Sequence, residues 1–558
     1  MNILKKISYS ITLITPLVAC STMYAQQKPN IIFFLVDDFG WSESSLPFGD
    51  KVYDNNLRFH TPNMERLAQK GVMMTNAYAC PVSTPTRTSL MTGMNAAHMG
   101  ITSFISLYKD VVPDAIGGHP GTTNENLSDI FMHPQWNYNA LCPVSFEQEK
   151  HIYGLTHTLF ATPMVSILRD EGYHTIHVGK AHWGPAGTPG ANPYNMGFVV
   201  NIAGASNGHP KSYLPHDNFG NLPRQGDYGS VQNMSQYYGT NIHLTEALTR
   251  EALKAIENPI KRKQPFYLYL SHYSNHTPIQ PDTRFFQKYI DNGMDENEAK
   301  YASMVESMDK SLGDVLDFLE SKNIMNNTVL IFYSDNGGHS VGNEKGGIPH
   351  TQNSPLREGK GSVYEGGIRV PMIFCWIGKI FPGTRISTPI SCEDIFPTIL
   401  DIAGVKQYTT VQKRDGQSLL KLITKGSEYV AEAKETGKIK NLRDAYLYPI
   451  PESISDIDVN RSLIFHYPHQ LRFEDQNDID FMSAIRQGEW KLVYRMHTFE
   501  LELYNLLEDL EEKNNLAKQY PFIVKKMAQK LSEYLRLWNA PMPIIRSTGQ
   551  RVPFPDEI

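Results

Sequence analysis

Cysteine is scarce in this chain, with five in 558 residues, at positions 20, 80, 142, 375 and 392. They form no Cys-x-x-Cys pair and no zinc-ligand spacing with histidine, which excludes a structural zinc module. A disulfide stays open in an oxidising compartment, but the spacing assigns no pairing. Long hydrophobic runs are also missing: the apolar stretch at residues 11–19 is too short to span a bilayer. No basic run is present and the formal charge is only −6, so nucleic acid is not an expected partner. No internal repeat is visible.

What is present is a globular composition with abundant histidine (19), tyrosine (29) and proline (35). The length exceeds one compact core and predicts two domains. The expected division is a targeting segment at 1–25, a catalytic domain at 28–424, a connector at 425–450 and a C-terminal subdomain at 451–558. Lys5 and Lys6 precede the apolar stretch, and Leu17-Val18-Ala19-Cys20 has the form of a bacterial lipobox. Cys20 is then lipidated, and acyl chains hold the protein on a membrane its own surface need not bind. The competing reading is ordinary cleavage after Ala25. Either way the expectation is export, to the periplasm or an outer-membrane lipid anchor.

Continuous apolar runs at 30–36, 265–271 and 328–333 read as buried parallel strands, with shorter strands at 75–79, 175–178 and 372–376. Helical patterns fall at 162–171, 245–256, 299–321 and 394–403. The stretch 101–156 is rich in Gly, Pro, Asn and His and reads as a loop-rich insertion. Beyond 451, strands at 462–466 and 490–494 and a helix at 522–537 suit an antiparallel sheet with one packing helix.

The chemistry-bearing residues fall at the ends of these strands. The first run ends in Asp37-Asp38, followed by Gly40-Trp41; the third ends in Asp335-Asn336-Gly337. Acidic residues at carboxyl ends of central strands are where open α/β sheets keep ligands. Neighbouring side chains on a strand face opposite ways, so Asp37 and Asp38 meet at one point only if the chain bends there. Like charges at about 4 Å repel by roughly 4 kcal/mol at an effective dielectric near 20, so three converging carboxylates imply a cation. An all-oxygen set suits a hard ion, Ca²⁺ or Mg²⁺.

Residues 77–95 read AYACPVSTPTRTSLMTGMN. Ser83 precedes a proline at a helix start, where unpaired N–H groups favour negative charge. Arg87 lies one turn on, on nearly the same face. Gly179-Lys180-Ala181-His182 and His272-Tyr273-Ser274-Asn275-His276 follow two further strands, and Lys360 sits in Pro355-Leu356-Arg357-Glu358-Gly359-Lys360-Gly361.

Ser83-x-Pro-Thr-Arg87 with TSLMTG resembles the signature of the formylglycine-dependent sulfatases, here of the serine type, as in bacterial carbohydrate sulfatases. The DDxGW start, the GKAHWG element, the NHTP element, SDNG and PLREGKG…YEGGIRVP are similar to that family's elements in the same order. Trp183 stands where Leu is usual, Ala181 where Trp is usual, and Asn275 where Pro is usual. The resemblance implies an α/β fold: an alkaline-phosphatase-like α/β/α sandwich with a large, mixed, mainly parallel sheet. A smaller C-terminal α+β domain with an antiparallel sheet accompanies it.

The resemblance further implies hydrolysis of a sulfate ester, releasing inorganic sulfate, with Ser83 converted to formylglycine. One calcium ion is held by Asp37, Asp38, Asp335, Asn336 and residue 83. Lys180, Lys360 and Arg87 supply positive charge for the sulfuryl group and formylglycine. His276 gives a proton to the leaving oxygen, and His182 is the base that restores the aldehyde. Arg369 and His272 read as structural. A serine-type signature implies a formylglycine-generating maturase of the anaerobic type as a partner. The exported setting and polar, aromatic loops favour a sulfated carbohydrate, of host or algal glycan, as substrate. His209, His466 and His469 are candidate substrate contacts. The alternatives are a phosphatase or phosphodiesterase of the same superfamily, and an inactive surface protein that binds sulfated glycans.

Overall fold

The computed structural model describes residues 28–105, 129–132, 140–145, 158–222, 229–342, 344–348, 351–470 and 480–558. The stretch expected as a targeting segment with a lipobox, and most of the insertion expected at 101–156, lie outside the described residues. No helix among the described residues is long and apolar enough to cross a membrane.

Nine strands form the main sheet: β1 (Asn30–Val36), β2 (Val72–Tyr78), β3 (His174–Gly179), β4 (Val200–Ile202), β5 (Phe266–Ser271), β6 (Thr328–Ser334), β7 (Arg369–Cys375), β8 (Thr384–Ile386) and β9 (Ile390–Ser391). Their order is β8-β2-β7-β6-β1-β5-β3-β4, with β9 also beside β2. All pairs are parallel except those of β7, which runs antiparallel to β2 and β6. The central strands are apolar along their whole length because both faces are covered. Ile31, Phe33 and Leu35 enter the core on one side, and Ile32, Phe34 and Val36 the core on the other.

Helices α1 (Pro62–Lys70), α2 (Ser83–Thr92), α3 (Leu244–Lys261), α4 (Glu296–Ser321) and α5 (Ile395–Ile402) flank the sheet. Helix α4 buries the predicted stripe Met304, Met308, Leu312, Val315 and Leu319. Each such side chain contributes about 1.5–3 kcal/mol by leaving water. Its start is fixed by Asp295, whose carboxylate accepts the backbone N–H of Asn297 and Glu298.

The stretch expected as a charged connector is largely helical. Ser427–Glu435 and Leu442–Leu447 are helices that bury Val430, Ala433, Ala445 and Tyr446. Their charged residues occupy the outer face, which hid the apolar stripe in a stretch of high average polarity.

The second sheet is antiparallel: β10 (Leu463–Tyr467), β11 (Met482–Gln487), β12 (Trp490–Arg495) and β13 (Glu500–Asn505). Helix α6 (Pro521–Leu537) packs Met527, Leu531 and Leu535 on one face. On the other face Phe465, Met482, Val493 and Tyr504 meet Tyr78, Val82, Val363 and Ile368 from the main-sheet part of the chain. The two sheets thus meet under the strand-to-helix junction that leads to Ser83.

Candidate active site

Register brings the distant motifs together. Val36 pairs with Ser334 and Leu35 with Ser271, so Asp37 and Asp335 leave adjacent strands at the same level. Gly179 pairs with Ser271, which places Lys180 beside them. Because β7 is antiparallel, the segment before it, carrying Lys360, arrives at this same edge. Asp38 has φ +52°, so the chain bends into the left-handed region there and both aspartates face one volume.

Each aspartate is gripped by one lysine. Lys180 Nζ lies 2.7 Å from Asp37 Oδ2, and Lys360 Nζ 2.7 Å from Asp38 Oδ1. Asn336 Nδ2 donates to Asp38 Oδ1 at 2.8 Å. Arg87, fully buried on α2, reaches Asp335 Oδ2 at 2.7 Å with Nη2 and approaches Asp37 at 3.9 Å. Its Nη1 donates to Ser271 Oγ at 2.5 Å. The indole of Trp183 donates to the Arg87 carbonyl at 3.1 Å. That contact gives the aromatic residue at this departure point a role: it holds α2 one turn beyond Ser83.

Ser83 is the first residue of α2 and is 3 % exposed. Its neighbour Thr84 is hydrogen-bonded through Oγ1 to His182 Nδ1 at 3.1 Å, and His182 Nε2 lies 3.0 Å from the Ile105 carbonyl oxygen. Gly361 N–H donates to the Pro81 carbonyl at 2.7 Å, which draws the Lys360 segment against the approach to Ser83. His276 Nε2 stands 3.8 Å from Asp38 Oδ2, and its Nδ1 lies 2.9 Å from the Thr277 carbonyl. The backbone N–H of Asn275 donates to the Asp37 carbonyl at 2.6 Å. A proline at 275 has no such hydrogen, so the departure from the usual residue gains a link to the acidic strand end.

Burial raises the Asp37 carboxyl despite Lys180. Burial acts on Asp38 too, but Lys360, His276 and Lys180 together hold it well below the usual range. Asp335 is pushed up to about 6 by burial and by the charge of Asp37, against Arg87. Burial and Lys180 push His182 well down, and burial and Lys360 do the same to His276. Lys180 is lowered by burial, while Asp38 and Asp37 outweigh burial at Lys360 and raise it.

The oxygens point to a cation. Asp37 Oδ1 and Asn336 Oδ1 are buried without a hydrogen-bond partner. Such orphaned acceptors are costly unless a ligand completes them. Asp37, Asp38 and His276 offer ligand atoms within 4.8 Å of one another. Asp335, expected in this group, has Oδ2 on Arg87, and its Oδ1 accepts the Asp38 N–H at 3.3 Å. The donor set fits a hard cation through its oxygens.

Among the expected substrate contacts, His209 stacks on His276 with ring centroids 5.5 Å apart. His466 does not reach this site. Its Nδ1 lies 2.6 Å from Ser483 Oγ and its Nε2 2.7 Å from the Pro541 carbonyl, inside the C-terminal subdomain. Both ring nitrogens are engaged in packing there, because the strand carrying it points this residue away from the catalytic edge. His469 is buried with Nε2 2.7 Å from Thr102 Oγ1, behind the 101–105 segment. Arg369 bonds the Thr75 carbonyl and Tyr446, and His272 bonds Ser311, as structural residues do.

Sequence reasoning missed Thr84, Ser271 and Gly208. A Cβ on Gly208 stands 2.6 Å from His182 Cε1, so only glycine lets the 207–210 turn close over that ring. The Asn-Gly-His-Pro run signals a turn, but not what the turn covers. Cys80 and Cys392, 3.8 Å apart through sulfur, are both buried free thiols.

An alkaline-phosphatase-like α/β/α fold with two lysines, an arginine and a cation-ready acidic cluster around a helix start defines a hydrolase of oxyanion esters. The comparisons narrow the class. The Sulfatase family profile matches residues 29–143 and 152–405, and the chain belongs to that family. It is a sulfuric ester hydrolase. A sulfatase of Formosa agariphila is 30 % identical, over 97 % of this chain and 95 % of its own length. N-acetylgalactosamine-6-sulfatase of Mus musculus is 29 % identical, over 72 % and 67 %. Among solved structures, Ps i-CgsB in complex with k-i-k-neocarrahexaose superposes with a TM-score of 0.63 at 24 % identity, covering 91 % of this chain and 93 % of the other. PsFucS1 sulfatase from Pseudoalteromonas sp. gives 0.60 at 18 %, over 94 % and 92 %. BT4656, solved with D-glucosamine-2-N,6-O-disulfate, gives 0.58 at 16 %, over 92 % and 98 %.

Proposed function

We propose that the chain removes sulfate from a sulfated carbohydrate through residue 83, converted from serine to formylglycine. The observation that carries this is the pairing of Lys180 and Lys360 with the two aspartates beneath the start of α2. A sulfate ester seated there meets two ammonium groups and the positive end of a helix. Asp37, Asp38, Asp335, Asn336 and residue 83 would hold a calcium ion, which would supply charge stabilisation for the sulfuryl oxygens. Arg87 opposes the rise of the Asp335 and Asp37 carboxyls and holds both in place. His276 presents a proton to the leaving sugar oxygen; the negative charge of a bound sulfate ester opposes the lysine that depresses it. His182, held by Thr84 and the Ile105 carbonyl, takes the proton that residue 83 releases when the aldehyde is restored.

The carbohydrate reading draws on the relatives: one is named N-acetylgalactosamine-6-sulfatase, and two neighbours were solved with k-i-k-neocarrahexaose and with D-glucosamine-2-N,6-O-disulfate. His209, stacked on His276, is placed to meet the leaving sugar. Export and a formylglycine-generating maturase belong to the same reading.

The test is the mass of the peptide around residue 83, from protein purified from its native host. Loss of two hydrogens marks the aldehyde. Such protein releases sulfate from a panel of sulfated mono- and oligosaccharides, and Ser83→Ala releases none. Full turnover by Ser83→Ala sinks the mechanism.

A further inference from the structure

The boundary between the catalytic domain and the C-terminal sheet carries charge in its middle. Lys491 on β12 is fully buried, with Nζ 2.9 Å from Glu365 Oε1 and 2.8 Å from Glu512 Oε1. Glu512 Oε2 accepts the backbone N–H of Glu365 at 2.7 Å. Just before it, Tyr364 donates to Glu502 Oε2 at 2.7 Å, and Arg357 donates to the Glu512 carbonyl at 3.2 Å. Residues of the C-terminal subdomain therefore hold both ends of one segment of the catalytic domain.

That segment delivers Lys360. Between the anchors, the Lys360 N–H donates to the Gly338 carbonyl at 3.1 Å and the Gly361 N–H to Pro81 at 2.7 Å. A buried ion cluster is a poor source of net stability, since well-packed apolar residues often do as well; fixing a register is its best-attested use. A charge that must meet a reacting group needs placement to a fraction of an ångström.

We infer that Lys491 is a positioning residue for Lys360. By holding Glu365 and Glu512 together across the boundary, it sets the 357–369 segment at the height where Lys360 meets Asp38 and the sulfate ester. The inference rests on the reading of Lys360 as a site residue, and it makes the C-terminal subdomain part of the catalytic device.

A double-mutant cycle on the full-length, matured enzyme tests it, with kcat and KM measured on a sulfated sugar that the wild type cleaves. Lys491→Met is expected to lower kcat/KM roughly tenfold or more, with the protein still folded at the assay temperature. In a Lys360→Ala background, assayed at high enzyme concentration, the same substitution changes kcat/KM by less than about twofold, because the route of its effect is gone. Lys491→Arg recovers most of the loss. Equal fractional losses in both backgrounds overturn the inference, as do unchanged kinetics of Lys491→Met. Full turnover by Lys360→Ala alone instead overturns the reading of Lys360, and this inference with it. If Lys491→Met does not fold, Glu512→Gln runs the same cycle with the same outcomes.

Discussion

At the scale of single residues, the site depends on contacts that no motif spells out. Gly208 leaves room for the His182 ring, and a methyl group there meets Cε1 at 2.6 Å. Gly208→Ala is expected to cut kcat roughly ten- to a hundredfold by displacing the imidazole, with an unchanged circular dichroism spectrum. Asp335 sets a pH limit. Its carboxyl is raised to about 6, so it is protonated below that pH and ionised above it. A cation needs the ionised form, so binding is present above about pH 6 and weakens as the pH falls through it. Metal content after dialysis at pH 5 and pH 7.5, read by elemental analysis, checks this; equal retention contradicts it. The convergence of the acidic strand ends with Lys180, His276 and Lys360 was legible because charged residues beside apolar runs stand out. Thr84 and Ser271 were not: a hydroxyl that touches His182 or Arg87 looks in sequence like any other hydroxyl. His466 failed for the complementary reason. A histidine pair near a strand looks functional until Ser483 and Pro541 take up the ring nitrogens of His466.

At the scale of elements, the period of the apolar residues decided what was readable. The strand at Asn30–Val36 and the helix at Glu296–Ser321 match their sequence patterns within a few residues, because packing and propensity agree there. The helices at Ser427–Glu435 and Leu442–Leu447 were hidden, since each buries only a few side chains under a charged exterior. Helix α4 is a test of core packing separate from chemistry. Leu312 is fully buried on it, and Leu312→Ala is expected to cost about 2–5 kcal/mol of stability. Urea unfolding measures the loss, while kcat/KM on a small sulfated sugar stays within about twofold because the substitution removes apolar packing and no charged group.

At the scale of the whole molecule, the cluster of buried carboxylates would tie stability to the proposed ion. Without a cation, Asp37 Oδ1 and Asn336 Oδ1 are unpartnered in the interior. Chelation is therefore expected to lower the thermal midpoint. Restoring calcium to a hundredfold excess over its Kd returns about 2.7 kcal/mol; a midpoint unmoved by chelator and calcium contradicts the assignment. The antiparallel course of β7 has a consequence in time. Strand β2, which leads into Ser83, has among the described residues only β7, β8 and β9 as sheet neighbours, all made after residue 368. At about 5–20 residues per second of synthesis, the Ser83 segment waits roughly fifteen seconds to a minute for the strands that enclose it. Ser83 is thus among the first site residues to leave the ribosome and among the last to be sealed in, which leaves an interval in which an enzyme acting on an unfolded chain can reach it.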